Sequence, residues 1–184
     1  MTDLLIQADR LIDADSDGPG WLQLRGPVVV ARGHGQADTP DVRLAVVTPP
    51  FVDVHTHGSV GIDFGEVGVD PEPAIAHHHR NGSTVIEATI ATGPLPAMRE
   101  RIRELAPYVT DGRLAGIHLE GPWLSAGRRG AHNPDLLRVP ERAEVLDLIE
   151  AGEGGVRMIT IAPELPGALA AIEAMVEAGV VAAL

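Results

Sequence analysis

The sequence contains no cysteine. Disulfides, thiolate metal sites and a cysteine nucleophile are therefore excluded, and any metal must be held by histidine and carboxylate side chains. Lysine is absent too. All fourteen basic residues are arginine, which reads as a compositional bias of the source genome. Arginine suits phosphate recognition, but the formal net charge of -12 means that any phosphate site must be local. A surface this acidic repels nucleic acid and anionic membranes, so neither is expected as a partner. No apolar run approaches the roughly 18 residues needed to span a bilayer. The opening Met1-Thr2-Asp3-Leu4 has no basic stretch ahead of an apolar one. No signal peptide is expected, and a cytoplasmic location follows by default.

What is present is ordinary for a globular chain. The 184 residues are 45% hydrophobic and 22% charged, enough for one domain or one and a half. Residues 1–48 differ from the rest. Short β-like runs (Leu4–Ile6, Trp21–Leu24, Val28–Val30 and Leu44–Val47) alternate there with Gly, Asp and Pro. That pattern predicts a small antiparallel sheet, too small to bury a core alone.

From Pro49 the period changes. Strands are predicted at Phe51–Val54, Thr84–Ala88, Leu114–Leu119 and Val156–Ile161, with a fifth beginning at Val180. Helical stretches separate them. Leu95, Met98, Ile102 and Leu105 share one helical face, as do Val145, Leu148 and Ile149, and Leu169, Ile172, Met175 and Val176. Pro140 and Pro166 mark helix starts, and Gly152 and Gly179 mark stops. Repeated βα units imply a parallel sheet with helices outside. Four units and a fifth strand fit half of an eight-stranded barrel, typically about 250 residues long. A doubly wound open sheet fits the pattern equally well.

Three motifs carry chemistry. Asp53-Val54-His55-Thr56-His57-Gly58 ends the first βα strand. Residues two apart in a strand share a face, so His55 and His57 can reach one metal. A bare His-x-His is a weak signal; the preceding Pro-Pro-Phe-Val-Asp run and the following Gly strengthen it. The second motif is Gly116-Ile117-His118-Leu119-Glu120-Gly121-Pro122-Trp123, at the end of the third strand. Glu120 suits a hard metal ion there, and taken alone fits a strand-capping carboxylate equally well. The third is Arg128-Arg129-Gly130-Ala131-His132-Asn133-Pro134. Such a run is usually a solvated loop, but its Arg, His and exposed amides could grip a sugar or a phosphate. His77-His78-His79 are consecutive, so on a helix they fan apart and cannot face one metal; they read as an exposed helix face. His34 has no partner in sequence, and Glu87 reads as structural.

In this order the motifs resemble the amidohydrolase superfamily, specifically the N-acetylglucosamine-6-phosphate deacetylases. His118-Leu119-Glu120-Gly121-Pro122-Trp123-Leu124 with Gly130-Ala131-His132-Asn133-Pro134 at this distance carries the resemblance, and Ile161-Ala162-Pro163-Glu164 is similar to the family's fourth-strand ending. The resemblance implies an α/β fold: an incomplete (β/α)8 TIM-like barrel over residues 49–184, with part of a small N-terminal β-sandwich over residues 1–48. It implies metal-dependent hydrolysis of the acetamide of N-acetylglucosamine 6-phosphate, giving glucosamine 6-phosphate and acetate. Glu120 matches the family's carboxylate metal ligand. His55 and His57 match a His-x-His that holds a second metal in some members. Ala131 and His132 match residues that bind substrate. His118 is not assigned to the metal. The cofactor implied is one or two divalent ions (Zn, or Fe, Mn, Co or Ni), and the assembly a homodimer. The family's catalytic Asp and two further His ligands fall beyond Leu184, so these residues alone are expected to be inactive. The competing expectations are another amidohydrolase, acting on an N-acyl amino sugar or a cyclic amide, and an inactive, partner-dependent binding module.

Overall fold

The structure is a computed structural model and describes residues 3–184. Met1 and Thr2 of the opening segment lie outside the described residues. The chain divides into two compact units, up to Pro50 and from Phe51 onward.

The first unit is one four-stranded sheet of β1 (Asp3–Ile12), β2 (Asp17–Arg25), β3 (Val28–His34) and β4 (Val42–Val47), in the order β3-β2-β1-β4. The expectation of an antiparallel sheet needs correction. β2 is antiparallel to both β1 and β3, but β4 runs parallel to β1. A parallel neighbour requires the chain to cross over rather than turn back. Residues 35–41 make that crossing, and a buried side chain ties it down. Gln7 Nε2 donates to the carbonyls of Gly20 and Gly35, and Gln7 Oε1 accepts from the Ala37 amide at 2.7 Å. Pattern reading sees strands but not which edge a distant glutamine selects.

The second unit is a parallel sheet. Its strands are β5 (Phe51–Thr56), β8 (Ser83–Ala91), β9 (Gly116–Glu120), β10 (Val156–Thr160) and β11 (Val181–Ala183), in the order β11-β10-β9-β8-β5. Two short strands, β6 (Gly58–Ser59) and β7 (Ile62–Asp63), form a hairpin directly after β5. The crossovers carry α1 (Glu72–Arg80), α2 (Leu95–Thr110), α3 (Arg142–Ala151) and α4 (Ala168–Glu177). Adjacent strands pair as parallel ladders, with register shifts in the β9–β10 and β5–β8 pairs. The architecture is α/β with a parallel half-barrel sheet. None of the helices is long and apolar enough to cross a membrane.

The core lies between sheet and helices. Ile86, Ile90, Ile117, Leu119 and Ile159 of the strands meet Met98, Ile102, Leu105, Val145 and Leu148 of α2 and α3. Alternation along each strand sends these residues to the helices and their polar neighbours to the other face. The helical faces expected for α2 and α3 are the buried ones. That of α4 is buried only in part. Its buried residues are Ala168, Ala171, Ala174 and Met175, while Leu169 and Val176 are 70% and 65% exposed. Small alanines let the helix approach closely, and a count of bulky side chains points to the wrong stripe.

Candidate metal centre at the strand ends

His118 is the centre of the polar face, and its surroundings explain the rest. It is buried in β9 at 1% exposure. Its Nδ1 lies 3.2 Å from Thr89 Oγ1 on β8, and its Nε2 lies 2.8 Å from Thr160 Oγ1 on β10. Thr89 Oγ1 also accepts the Thr56 amide of β5 at 3.1 Å. One imidazole thus ties four strands together. Burial, chiefly, and the nearby His55 pull its pKa down to about 4. A neutral ring offers one donor and one acceptor, and both nitrogens face hydroxyls. Both His118 nitrogens are thus engaged by the hydroxyls of Thr89 and Thr160.

Two residues on, Glu120 ends β9 with its carboxylate on the same face. Three imidazoles surround it. His57 Nε2 is 3.0 Å from Glu120 Oε2, His132 Nε2 is 3.5 Å away and His55 Nε2 is 3.7 Å away. The His55 and His57 rings meet edge to face with centroids 5.1 Å apart. Simple alternation does not account for this alone. Between Asp53 and Thr56, β5 has one residue more than β8 opposite, so an irregularity falls across Val54 and His55. Bulges re-aim side chains and recur beside active sites. His55, His57 and Glu120 each offer a ligand atom within 4.8 Å of the others, and they are the one such group among the described residues.

The backbone after Glu120 is tightly set. Gly121 has φ +85°, and a Cβ there would collide with Thr92 Oγ1. That hydroxyl donates to the Glu120 carbonyl at 3.1 Å. Only glycine meets both conditions at little cost.

A cavity of about 630 Å3 opens beside the carboxylate. Its lining includes His57, Asp63, Glu120, Arg128, Ala131 and His132. The 128–134 loop is folded on itself: the Arg129 side chain donates to the His132 carbonyl at 3.0 Å, and the His132 amide donates to the Arg129 carbonyl at 3.1 Å. Asn133 caps the short 3-10 turn Pro134–Leu136 by accepting the Asp135 amide. A second hollow of about 640 Å3 is lined by Leu95, Arg99, Leu137, Arg138 and Asp147. Its arginines are held in ion pairs with Asp147 and Glu144, and no histidine reaches it, so the first cavity is the chemical one.

The structure thus brings His55, His57, Glu120, Ala131 and His132 to one end of the parallel sheet. His34 lies on β3, in the first unit. Of the three consecutive histidines of α1 only His79 is exposed, and His78 is not merely part of an exposed face. It is half-buried, and its Nε2 lies 3.2 Å from the Gly58 carbonyl and 3.4 Å from Thr56 Oγ1. His78 therefore braces the chain just beyond His57. Only the i, i+3 packing of α1 against that hairpin reveals this; a run of histidines in sequence carries no such signal.

No protein-family model matches the chain. Relatives do. An N-acetylglucosamine-6-phosphate deacetylase of Danio rerio is 36% identical over 151 residues, which cover 76% of this chain and 37% of that protein. An N-acetylgalactosamine-6-phosphate deacetylase of Escherichia coli O157:H7 is 31% identical over 178 residues, 91% of this chain and 46% of that one. Among solved structures, a D267A mutant of the Mycobacterium smegmatis N-acetyl-D-glucosamine-6-phosphate deacetylase, in complex with N-acetyl-D-glucosamine-6-phosphate, superposes with a TM-score of 0.93 at 43% identity. It matches 99% of this chain, and the chain covers 49% of it. The chain spans less than half the length of these relatives, and over that span it is similar in sequence and in fold to N-acetylglucosamine-6-phosphate deacetylases.

Proposed function

We propose that this chain carries part of the active site of an enzyme that removes the acetyl group from an N-acetylated hexosamine 6-phosphate, with N-acetylglucosamine 6-phosphate as the first substrate. The observation that carries the reading is the meeting of His55, His57 and Glu120 at the carboxyl ends of parallel strands, where active sites of βα barrels lie. The donor set fits a divalent cation. Two neutral imidazoles and one carboxylate are borderline and hard ligands, with no thiolate to select a soft metal.

In this reading His55, His57 and Glu120 hold one ion. When bound, the ion polarises the amide carbonyl and makes a water nucleophilic near neutral pH. The chain's own residues do the rest of the positioning. His118 leaves the metal free and fixes the four strands whose ends carry the ligands. Ala131, through its backbone, and His132 line the cavity and bind the sugar. His132 Nε2 also faces Glu120, so the sugar-binding loop and the metal ligand share one edge of the cavity. Arg128 and Arg129 provide the positive charge at that cavity in an otherwise acidic chain, which suits a phosphorylated substrate. Residues 49–184 are read as the first half of a (β/α)8 barrel.

A second substrate is favoured by one observation. The E. coli relative, which matches 91% of the chain, is named for the galactosamine epimer. The test covers both. Acetate release is measured from N-acetylglucosamine 6-phosphate and from N-acetylgalactosamine 6-phosphate, using the protein as its source cell produces it. The reading expects release from at least one, abolished by a chelator and restored by a divalent cation. No release from either sugar phosphate would remove it.

A further inference from the structure

Arg101 is the one buried arginine among the described residues, at 1% exposure in the middle of α2. Burying a guanidinium is costly unless it is paired and hydrogen-bonded. Two of its three partners lie on one segment, residues 64–69, which follows the hairpin after His57. Arg101 Nε donates to the Phe64 carbonyl at 2.7 Å, and Nη1 donates to the Val69 carbonyl at 2.9 Å. Nη1 also pairs with Glu104 one turn along, at 2.7 Å. Glu104 accepts the Gly68 amide with both oxygens at 3.0 Å. One turn of α2 thus grips this segment at three backbone points. Nη2 is buried without a partner among the described residues, so packing alone is a poor reason for a guanidinium here.

The link to the site is a single residue. The Phe64 amide donates to the His57 carbonyl at 2.8 Å, while its carbonyl is the one that Arg101 holds. The Phe64 ring is fully buried and lies 6.3 Å from His78, which braces Gly58 from the other side. We propose that Arg101, supported by Glu104, is a positioning residue for His57: it fixes Phe64, and Phe64 fixes the backbone that aims the His57 imidazole at Glu120. The inference rests on the reading of His57 as a metal ligand. It adds the residue, 44 positions away along the chain, that keeps this ligand in place.

The test titrates the intact protein with cobalt(II), read by its visible absorption, and measures hydrogen exchange at the Phe64 amide. Arg101→Met is expected to weaken cobalt binding about 10-fold, the lower range for residues that orient a ligand, and to speed exchange at Phe64. Arg101→Lys, which keeps the charge but not the two-carbonyl reach, is expected to recover part of both. Arg99→Lys on the same helix, whose partner is Asp147, is expected to change neither. If Arg101→Met does not fold, Glu104→Gln makes the same comparison with a smaller shift. Folded variants with wild-type cobalt affinity and wild-type Phe64 exchange overturn the proposal. So does an Arg99→Lys variant that loses as much as Arg101→Met. If the wild-type protein takes up no cobalt, the metal reading falls on its own. The Phe64 amide then decides the strut: faster exchange in Arg101→Met keeps it, and unchanged exchange ends it.

Discussion

Two carboxylates stand on the same face of the same sheet, and they have opposite surroundings. Glu120 sits at the end of β9 with three imidazole nitrogens within 3.7 Å. Glu87 sits lower, on β8, opposite Gly116 in the ladder. Its Oε2 is buried with no hydrogen-bond partner among the described residues. Burial raises its pKa, against the opposing pull of Arg157. The contrast shows that a polar residue on the inner face of this sheet is not by itself a functional group. What marks Glu120 is the convergence of nitrogen donors from β5 and from the 128–134 loop, together with a cavity beside it. Glu87 lacks such partners, and its burial costs stability.

That contrast can be broken most directly at Glu120. Glu120→Ala is expected to abolish tight metal binding and deacetylation, by at least about 100-fold, above the range for residues that only orient a ligand. Metal content after dialysis and acetate release check it, with circular dichroism confirming that the fold is retained. Unchanged activity would sink the assignment of this ligand.

Gly121→Ala tests whether the backbone that presents Glu120 is as constrained as it looks. A positive φ and the collision with Thr92 Oγ1 predict a loss of about 1–3 kcal/mol, read as a lower denaturation midpoint. Thr89→Val sharpens the role of His118. It removes one hydroxyl that serves both the His118 ring and the Thr56 amide. A buried donor left unpaired costs about 1–3 kcal/mol. The expected result is a lower denaturation midpoint, with a broadened or shifted His118 signal in the imidazole NMR spectrum.

The smallest effect, and of opposite sign, belongs to Glu87. In the unfolded chain a glutamate titrates near about 4.3, and in the fold Glu87 holds its proton to higher pH. Its contribution is therefore fully present below the unfolded pKa and is lost as pH rises through the folded one. Glu87→Gln is expected to raise stability at neutral pH and to flatten the pH dependence between the carboxylate range and neutrality. Thermal melts at several pH values check this. A destabilised Glu87→Gln would mean that the carboxylate has a partner that the fold does not show.

Much of the fold could be read from the chain because its signals are local. Alternating apolar runs mark β5, β8, β9 and β10, and the apolar faces of α2 and α3 follow the 3.6-residue period. The α4 face differs at Leu169 and Val176, which outweigh alanines in any hydrophobic pattern, whereas close packing against the sheet favours Ala168 and Ala171 beside Met175. The parallel placement of β4 was missed because it depends on the buried Gln7 side chain and a crossover, not on the strand itself. At the candidate site, strand-end position points to His55 and His57, whereas Glu120 fits a strand cap equally well on position and is singled out only by the family resemblance. Position points to neither His78 nor Arg101. Each acts on a backbone carbonyl of a segment distant in sequence, and neither residue type at those positions announces such a contact.

By itself, the sequence determined the kind of chemistry available: no thiol, no lysine, and histidines and a carboxylate placed where parallel strands end. These follow from composition and from the two-residue period of a strand, which any chain in extended conformation obeys. Tertiary structure alone decided which of those groups are partners. It turned His118 inward between two hydroxyls, set His57 3.0 Å from Glu120, and tied Arg101 to a carbonyl 37 residues away. Such pairings depend on how helices and strands pack across the sheet, and the physical reason they escape the sequence is that no local period encodes a distance through space.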